Sequence, residues 1–238
     1  MFLGKRILSL LLPQTCRVCG CLLKDSAKLC SDCFSKIRWI REPLCTVCGR
    51  PFESSVAVSH PCPDCLEKKP AFDRHRSCVL YEEPVNRLLH RLKYSAGLDV
   101  TGVFAGWFQK IIAEQETIPD YLIPVPLSTG RLRRRSYNQS VELARHISRQ
   151  TGIPVLIHSL QKIRDTVPQT ELPREERIKN LKGAFAWKDK KTLLKGKNVL
   201  LVDDVFTTGS TLMACASVLK SQKPADIGAM TIAFNLPK

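Results

Sequence analysis

Residues 199–212 read Val-Leu-Leu-Val-Asp-Asp-Val-Phe-Thr-Thr-Gly-Ser-Thr-Leu, and no other stretch limits the fold as tightly. Val199 to Val202 form a short apolar run with the length and branching of a strand buried on both faces, which belongs in a parallel sheet. Two adjacent carboxylates, Asp203 and Asp204, follow at the strand's carboxyl end, where open α/β sheets bind ligands. Thr207, Thr208, Gly209, Ser210 and Thr211 make a small hydroxyl-rich turn, after which Leu212, Cys215, Ala216 and Leu219 recur at helical spacing. Backbone N–H groups at a helix N-terminus suit a phosphate, and carboxylates accept hydrogen bonds from sugar hydroxyls. Together they fit a phosphorylated ribose.

An apolar strand ending in Asp also occurs in nucleotidases whose carboxylate serves Mg2+, and a triphosphatase needs Gly-x-x-x-x-Gly-Lys-Ser/Thr. Neither Gly-Lys here continues that way, since Lys5 precedes Arg6 and Lys197 precedes Asn198. The unbroken order of strand, Asp-Asp, Thr-Thr-Gly-Ser-Thr and helix resembles the phosphoribosyl-pyrophosphate motif of type I phosphoribosyltransferases. That resemblance implies that Asp203 and Asp204 hold two ribose hydroxyls, and that residues 207–211 hold the 5-phosphate.

Nine of the 11 cysteines lie before residue 66, eight of them in four Cys-x-x-Cys pairs: Cys16/Cys19, Cys30/Cys33, Cys45/Cys48 and Cys62/Cys65. Two such pairs per site make a closed tetrahedral four-thiolate zinc site, structural rather than catalytic. A disulfide scaffold needs an oxidising compartment, and a redox Cys-x-x-Cys sits in a βαβ frame; neither fits four copies in a basic chain without an export signal. Sequential pairing gives two zinc ribbons in tandem, alternate pairing a cross-brace, and the short gaps within each half favour ribbons. Cys21 and His60 are spare donors, read as bystanders, and Cys78 and Cys215 as core residues. With few large apolar residues before position 70, this module needs its metal to fold.

At 238 residues the chain has room for such a module, 1–70 with a short N-terminal helix, and one α/β domain over 71–238. Its net charge of +15 points to anionic partners, polyphosphate or nucleic acid. Two zinc ions on eight thiolates neutralise most of the module's positive charge, so the excess lies chiefly in the second part. Lys5-Arg6 before residues 7–12 has the order of a secretory signal, but the run is short and Pro13 stops it. Nothing approaches the ~20 apolar residues of a membrane span. A cytoplasmic location is expected.

Further along, 78–81 reads as a strand after a linker over 66–76, and Pro84 opens a helix bearing Val85, Leu88, Leu89 and Leu92 on one face. Residues 100–112 mark a second helix and 121–126 a second strand. The following loop, 127–139, carries Arg131, Arg133, Arg134 and Arg135. Arginine runs are usually solvated faces, but guanidinium forks after a strand end suit pyrophosphate. Residues 164–180 read as a lid or an exposed loop.

The paired Cys-x-x-Cys modules, Arg-Leu-Arg-Arg-Arg-Ser-Tyr-Asn-Gln (131–139), Arg-x-Thr-x-Pro-Gln (164–169), Arg177 with Asn180, Gly183-Ala184-Phe185 and the 199–212 motif, in that order, resemble the ComF family of late-competence proteins. The family usually has Gly-Phe where this chain has Ser136-Tyr137, and serine takes positive φ less cheaply than glycine. The resemblance implies a type I phosphoribosyltransferase fold, a Rossmann-like parallel sheet with helices on both faces, behind a tandem zinc ribbon. It implies two structural Zn2+, phosphoribosyl pyrophosphate bound with Mg2+, and single-stranded DNA and the DNA-uptake machinery as partners. Asp203 and Asp204 would be the catalytic pair, and Arg131, Arg133 and Arg135 the pyrophosphate ligands. Three functions compete: a competence protein carrying this site, an orthodox phosphoribosyltransferase of nucleotide metabolism with an unidentified acceptor, and a non-catalytic sensor. Lys93, Tyr94 and the zinc module are candidates for the acceptor pocket, and 188–197 for DNA contact.

Overall fold

A computed structural model describes residues 14–23, 27–52, 57–94, 97–115, 117–166, 180–189, 191 and 193–236. The expected N-terminal helix, and most of the expected lid including Arg177, lie outside these residues.

Four parallel strands carry the molecule: β1 (Arg74–Leu80), β2 (Tyr121–Pro124), β5 (Asn198–Phe206) and β6 (Asp226–Phe234), in the order β1-β6-β5-β2. Val155 extends the β2 edge by a single parallel bridge to Leu122. A separate antiparallel pair joins β3 (Leu160–Lys162) to β4 (Phe185–Trp187).

The pleat of β5 divides its apolar residues between two cores. Leu200 and Val202 pack on one face with α3 (Val85–Tyr94), α4 (Thr101–Ala113) and α6 (Gln139–Thr151). Val199 and Leu201 pack on the other with α7 (Ser210–Lys220). Covering both faces is what permits the continuous apolar run, and each buried Val or Leu contributes about 1.5–3 kcal/mol. Helix α3 buries Val85, Leu88, Leu89 and Leu92, the i, i+3, i+4, i+7 stripe expected of it.

The cysteine pairs are sequential, as tandem ribbons require: Cys16, Cys19, Cys30 and Cys33 form one cluster, and Cys45, Cys48, Cys62 and Cys65 the other. Two short helices, α1 (Ser31–Ser35) and α2 (Pro63–Glu67), start directly after Cys30 and Cys62. Between the clusters the chain crosses the β1 edge, where Leu80 N donates to Arg38 O and Ile40 N to Cys78 O, so the edge is covered. The first ribbon lies toward the α4 side, with Trp39 edge-on to Trp107 at 5.0 Å and Arg17 2.6 Å from Asp99. The second lies on the α7 side, its four cysteines buried in the same core as Phe72, Phe206 and Leu212.

Three expectations need correction. Strand β1 starts at Arg74, inside the expected linker. Strand β5 runs on to Phe206, so Asp203 and Asp204 lie within it rather than after it. The arginine loop contains a seven-residue helix, α5 (Thr129–Arg135), opened by the Ser128 carbonyl, which accepts from Leu132 N.

Candidate functional site

The two carboxylates are gripped by the start of α6 and the end of α3. Asp203 Oδ1 accepts hydrogen bonds from Ser140 Oγ at 2.9 Å and from the Asp204 backbone N–H at 2.9 Å. Asp204 Oδ2 accepts from Gln139 Nε2 at 3.2 Å and lies 2.9 Å from the Lys93 ammonium. Asn138 sets the α6 start: its Nδ2 donates to Val125 O, and its Oδ1 accepts from Ser140 N. These bonds tie the exit of β2 and the first turn of α6 to the carboxylates on β5.

Asp204 is only 6% exposed, and Asp203 is half-buried. Burial, and then the neighbouring Asp204 charge, push the Asp203 carboxyl up to about 7. Burial works against the charge on Lys93, but the Asp204 carboxylate outweighs it and raises the ammonium above its ordinary value.

Beyond Phe206 the chain turns through Thr207, Thr208 and Gly209. Gly209 adopts φ +72°, and a Cβ there would stand 2.7 Å from Phe206 Cζ, so both the backbone and the available space require glycine. Gly209 brings no side chain to cap α7, and Thr208 Oγ1 accepts from Ser210 N at the helix start at 3.5 Å. Thr208 Oγ1 and Ser210 Oγ lie 2.7 Å apart there. A helix N-terminus flanked by hydroxyls accommodates an anion.

Of the expected pyrophosphate arginines, Arg135 is tied in. It donates to Gln139 Oε1 at 3.1 Å and to the Tyr94 hydroxyl at 3.2 Å, with its guanidinium 4.9 Å from the Tyr94 ring centre. Arg133 and Arg134 are exposed, and Arg131 is half-buried near Lys162. Ser136 closes α5 at φ +65°, the left-handed conformation for which glycine is better suited. Tyr137 anchors the loop by donating to Leu92 O. Arg164 donates to Asn180 O and Lys182 O, and so brings together the two ends of the segment expected as a lid. The candidate acceptor-pocket residues Lys93 and Tyr94 therefore meet the carboxylates and Arg135. Ser140, absent from the expected site, and Gln139, read only as part of a motif, become carboxylate partners. Their place just after Asn138, at a helix start facing a strand end, was the available signal.

Both cysteine clusters fit zinc. All donor sulfurs within a cluster lie within 4.8 Å of one another, and all 11 cysteines are free of disulfides. Cys19 Sγ to Cys30 Sγ and Cys48 Sγ to Cys62 Sγ are each 3.7 Å. A Zn–S bond of about 2.3 Å puts tetrahedral sulfurs about 3.8 Å apart. Backbone N–H groups of Cys30 and Cys62 point at the Cys16 and Cys45 sulfurs. Cys21 and His60 stand outside both clusters, His60 stacking on Phe52. Among the described residues no helix is long and apolar enough to cross a membrane.

Comparison with known proteins matches residues 7–66 to a double zinc ribbon domain and residues 137–237 to a phosphoribosyl transferase domain. Competence protein F of Haemophilus influenzae is 33% identical over 81% of this chain and 84% of its own length. The DNA utilization protein YhgH of Salmonella typhimurium is 32% identical over 88% of this chain and 92% of its own. Competence protein ComFC of Bacillus subtilis is 28% identical over 89% and 86% respectively.

Proposed function

The chain belongs to the family of competence protein F, ComFC and YhgH, and on that premise we propose that it binds Mg2+-phosphoribosyl pyrophosphate in the service of DNA uptake or utilization. The observation that carries the reading is the pairing of Asp203 and Asp204 with a hydroxyl-flanked helix N-terminus three residues beyond the strand end. Two ribose hydroxyls donate to the carboxylates, and the 5-phosphate lies over residues 207–211. The pyrophosphate points toward the β2–α6 connection, where Arg131, Arg133 and Arg135 supply positive charge. Magnesium arrives with the ligand as its pyrophosphate salt.

In a transfer reaction the bond from the anomeric carbon to pyrophosphate breaks, with its electron pair leaving on pyrophosphate, as a nucleophile bonds to that carbon. The protein's part is positioning and charge stabilisation. Calorimetry with Mg2+-phosphoribosyl pyrophosphate tests the binding, and an assay of pyrophosphate release with nucleobases or single-stranded DNA tests the transfer. Binding with release makes the protein a transferase. Binding without release makes it a sensor. Absence of binding rejects the reading.

The net charge of +15 supports a second reading, direct contact with single-stranded DNA. Fluorescence anisotropy with a labelled strand at two salt concentrations decides it. Binding that weakens steeply with salt supports contact, and no binding at low salt rules it out for the chain acting alone.

A further inference from the structure

His75 belongs neither to the cysteine clusters nor to the ligand site, yet it touches the structure under both. It lies on β1 with no exposed surface. Its Nδ1 is 2.8 Å from the carbonyl of Cys48, and its Nε2 is 3.0 Å from Thr231 Oγ1. A carbonyl only accepts, so Nδ1 carries the proton and donates to it, while Nε2 faces the Thr231 hydroxyl, which also lies 3.2 Å from Ala233 O and 2.6 Å from Ser77 Oγ. The imidazole is therefore fixed at both ends.

On one side the ring meets a cysteine knuckle of the second cluster. The turn over residues 45–49 is built around the metal donors: Gly49 N donates to Cys45 O, and Cys48 N points at Cys45 Sγ. It presses directly on β1. His75 N donates to Val47 O at 2.7 Å, and a Cβ on Gly49 would stand 2.6 Å from His75 O.

On the other side the ring stacks on Phe206, with centroids 4.2 Å apart and planes inclined by 27°. Phe206 also stacks on Phe234 at 4.8 Å. Its ring tip underlies Gly209, at the distance that leaves no room for a Cβ. The ring is thus the floor of the turn over residues 207–209. The contacts run without a gap from metal donor to backbone carbonyl, imidazole, phenyl ring and loop glycine.

We infer that His75 is a positioning residue for the phosphate loop, and that through it metal occupancy of the second cysteine cluster governs how well residues 207–211 hold an anion. This rests on the reading of that loop as the 5-phosphate site. Zinc on Cys45, Cys48, Cys62 and Cys65 fixes the Cys48 carbonyl, the carbonyl holds the imidazole face-on to Phe206, and Phe206 holds the loop in its binding shape. The first cluster packs instead toward Trp107 and Asp99, on the α4 side of the sheet, and has no part in this.

The test compares wild type, His75→Phe, His75→Gln and Cys19→Ser, each assayed for bound zinc and overall helicity. Affinities for Mg2+-phosphoribosyl pyrophosphate and for ribose 5-phosphate are read by calorimetry, and amide exchange of residues 207–211 is followed without ligand. Stripping zinc from wild type is expected to weaken both ligands and speed loop exchange by about tenfold, an ordinary coupling between sites. His75→Phe keeps the stack without the bond to Cys48, so its loop exchange and affinity should respond to zinc less than those of wild type. His75→Gln removes the ring and should bind weakly and exchange fast even with zinc bound. Cys19→Ser, which removes a donor from the first cluster alone, should bind as wild type does. Unchanged loop exchange after zinc loss in wild type, or wild-type exchange in zinc-loaded His75→Gln, overturns the inference. Failure of zinc-loaded wild type to bind either ligand overturns the phosphate-site reading instead, and loop exchange then decides the role of His75 alone.

Discussion

Lys93 places its ammonium 2.9 Å from the Asp204 carboxylate, joining the end of helix α3 to strand β5 across the candidate site. Asp204 is almost wholly buried, so this ion and Gln139 take the place of water around it. A buried carboxylate left without its counter-charge is costly, so Lys93 is the partner that offsets the burial of Asp204.

Asp204→Asn is expected to weaken binding of Mg2+-phosphoribosyl pyrophosphate by about 1–3 kcal/mol, the loss of a charge-assisted hydrogen bond. Lys93→Met should weaken it too, and should also lower the melting temperature, because it strands the carboxylate. Calorimetric affinities equal to wild type in both variants would remove the carboxylate pair from the site.

Asp203 brings a pH dependence whose sign is fixed. Its carboxyl is raised to about 7 in the folded chain, by burial and by Asp204, from an ordinary 3.8. Between those values the folded state holds a proton that the unfolded state has released, so Asp203's contribution to stability is lost as pH rises from about 4 to about 7. Ligand affinity should move the opposite way and increase from pH 6 to pH 8, because the sugar hydroxyl needs an ionised acceptor. The groups facing Asp203 include Asp204, Lys93, Ser140 and the buried Cys215 thiol. Calorimetry at the two pH values checks it, and equal affinities would show that Asp203 is not titrating in the site.

The carboxylate pair, the glycine turn and the cysteine frame are legible in the sequence because each is contiguous or regularly spaced. The strand around His75 is not. Arg74-His75-Arg76 reads as a polar linker, and becomes a strand only because Arg74 finds Asp226 at 2.8 Å, Arg76 finds the Thr46 carbonyl, and His75 is roofed by the second ribbon. Helix α5 is hidden for a different reason: no residue of it is buried, so it has no apolar period to read. The contacts of Ser140, Gln139 and Lys93 with the carboxylates arise where helix ends meet a strand end, a tertiary relation that no local pattern encodes.

Ser136→Gly should stabilise the chain. Ser136 sits at φ +65°, where a Cβ is strained, although glycine gives back part of the gain through its freer unfolded chain. A net increase of about 0.5–1 kcal/mol is expected from the cost of the left-handed conformation. Denaturant unfolding measures it, and a destabilised variant would mean that the serine side chain, not the backbone, decides this position.

Elemental analysis should find two zinc ions per chain, and the consequences of removing them should differ between the clusters. The first cluster leaves Cys19 exposed and Cys30 partly so, and its loss should free mainly the segment up to Ile37. The second is buried within the α7-side core, where Cys45, Cys48, Cys62 and Cys65 share contacts with Phe72, Phe206 and Leu212. Sequence reasoning treats the ribbons as a module that melts alone over residues 1–70 when chelated. The shared core leads to a different outcome: loss of the second zinc should also loosen β1 and the start of α7. Amide exchange during graded chelation separates the two cases. Protection lost within residues 14–37 first, and then in residues 45–80 together with 206–212, supports the shared core. Protection retained throughout 74–236 after both ions are gone would mean that the sheet stands without its ribbon.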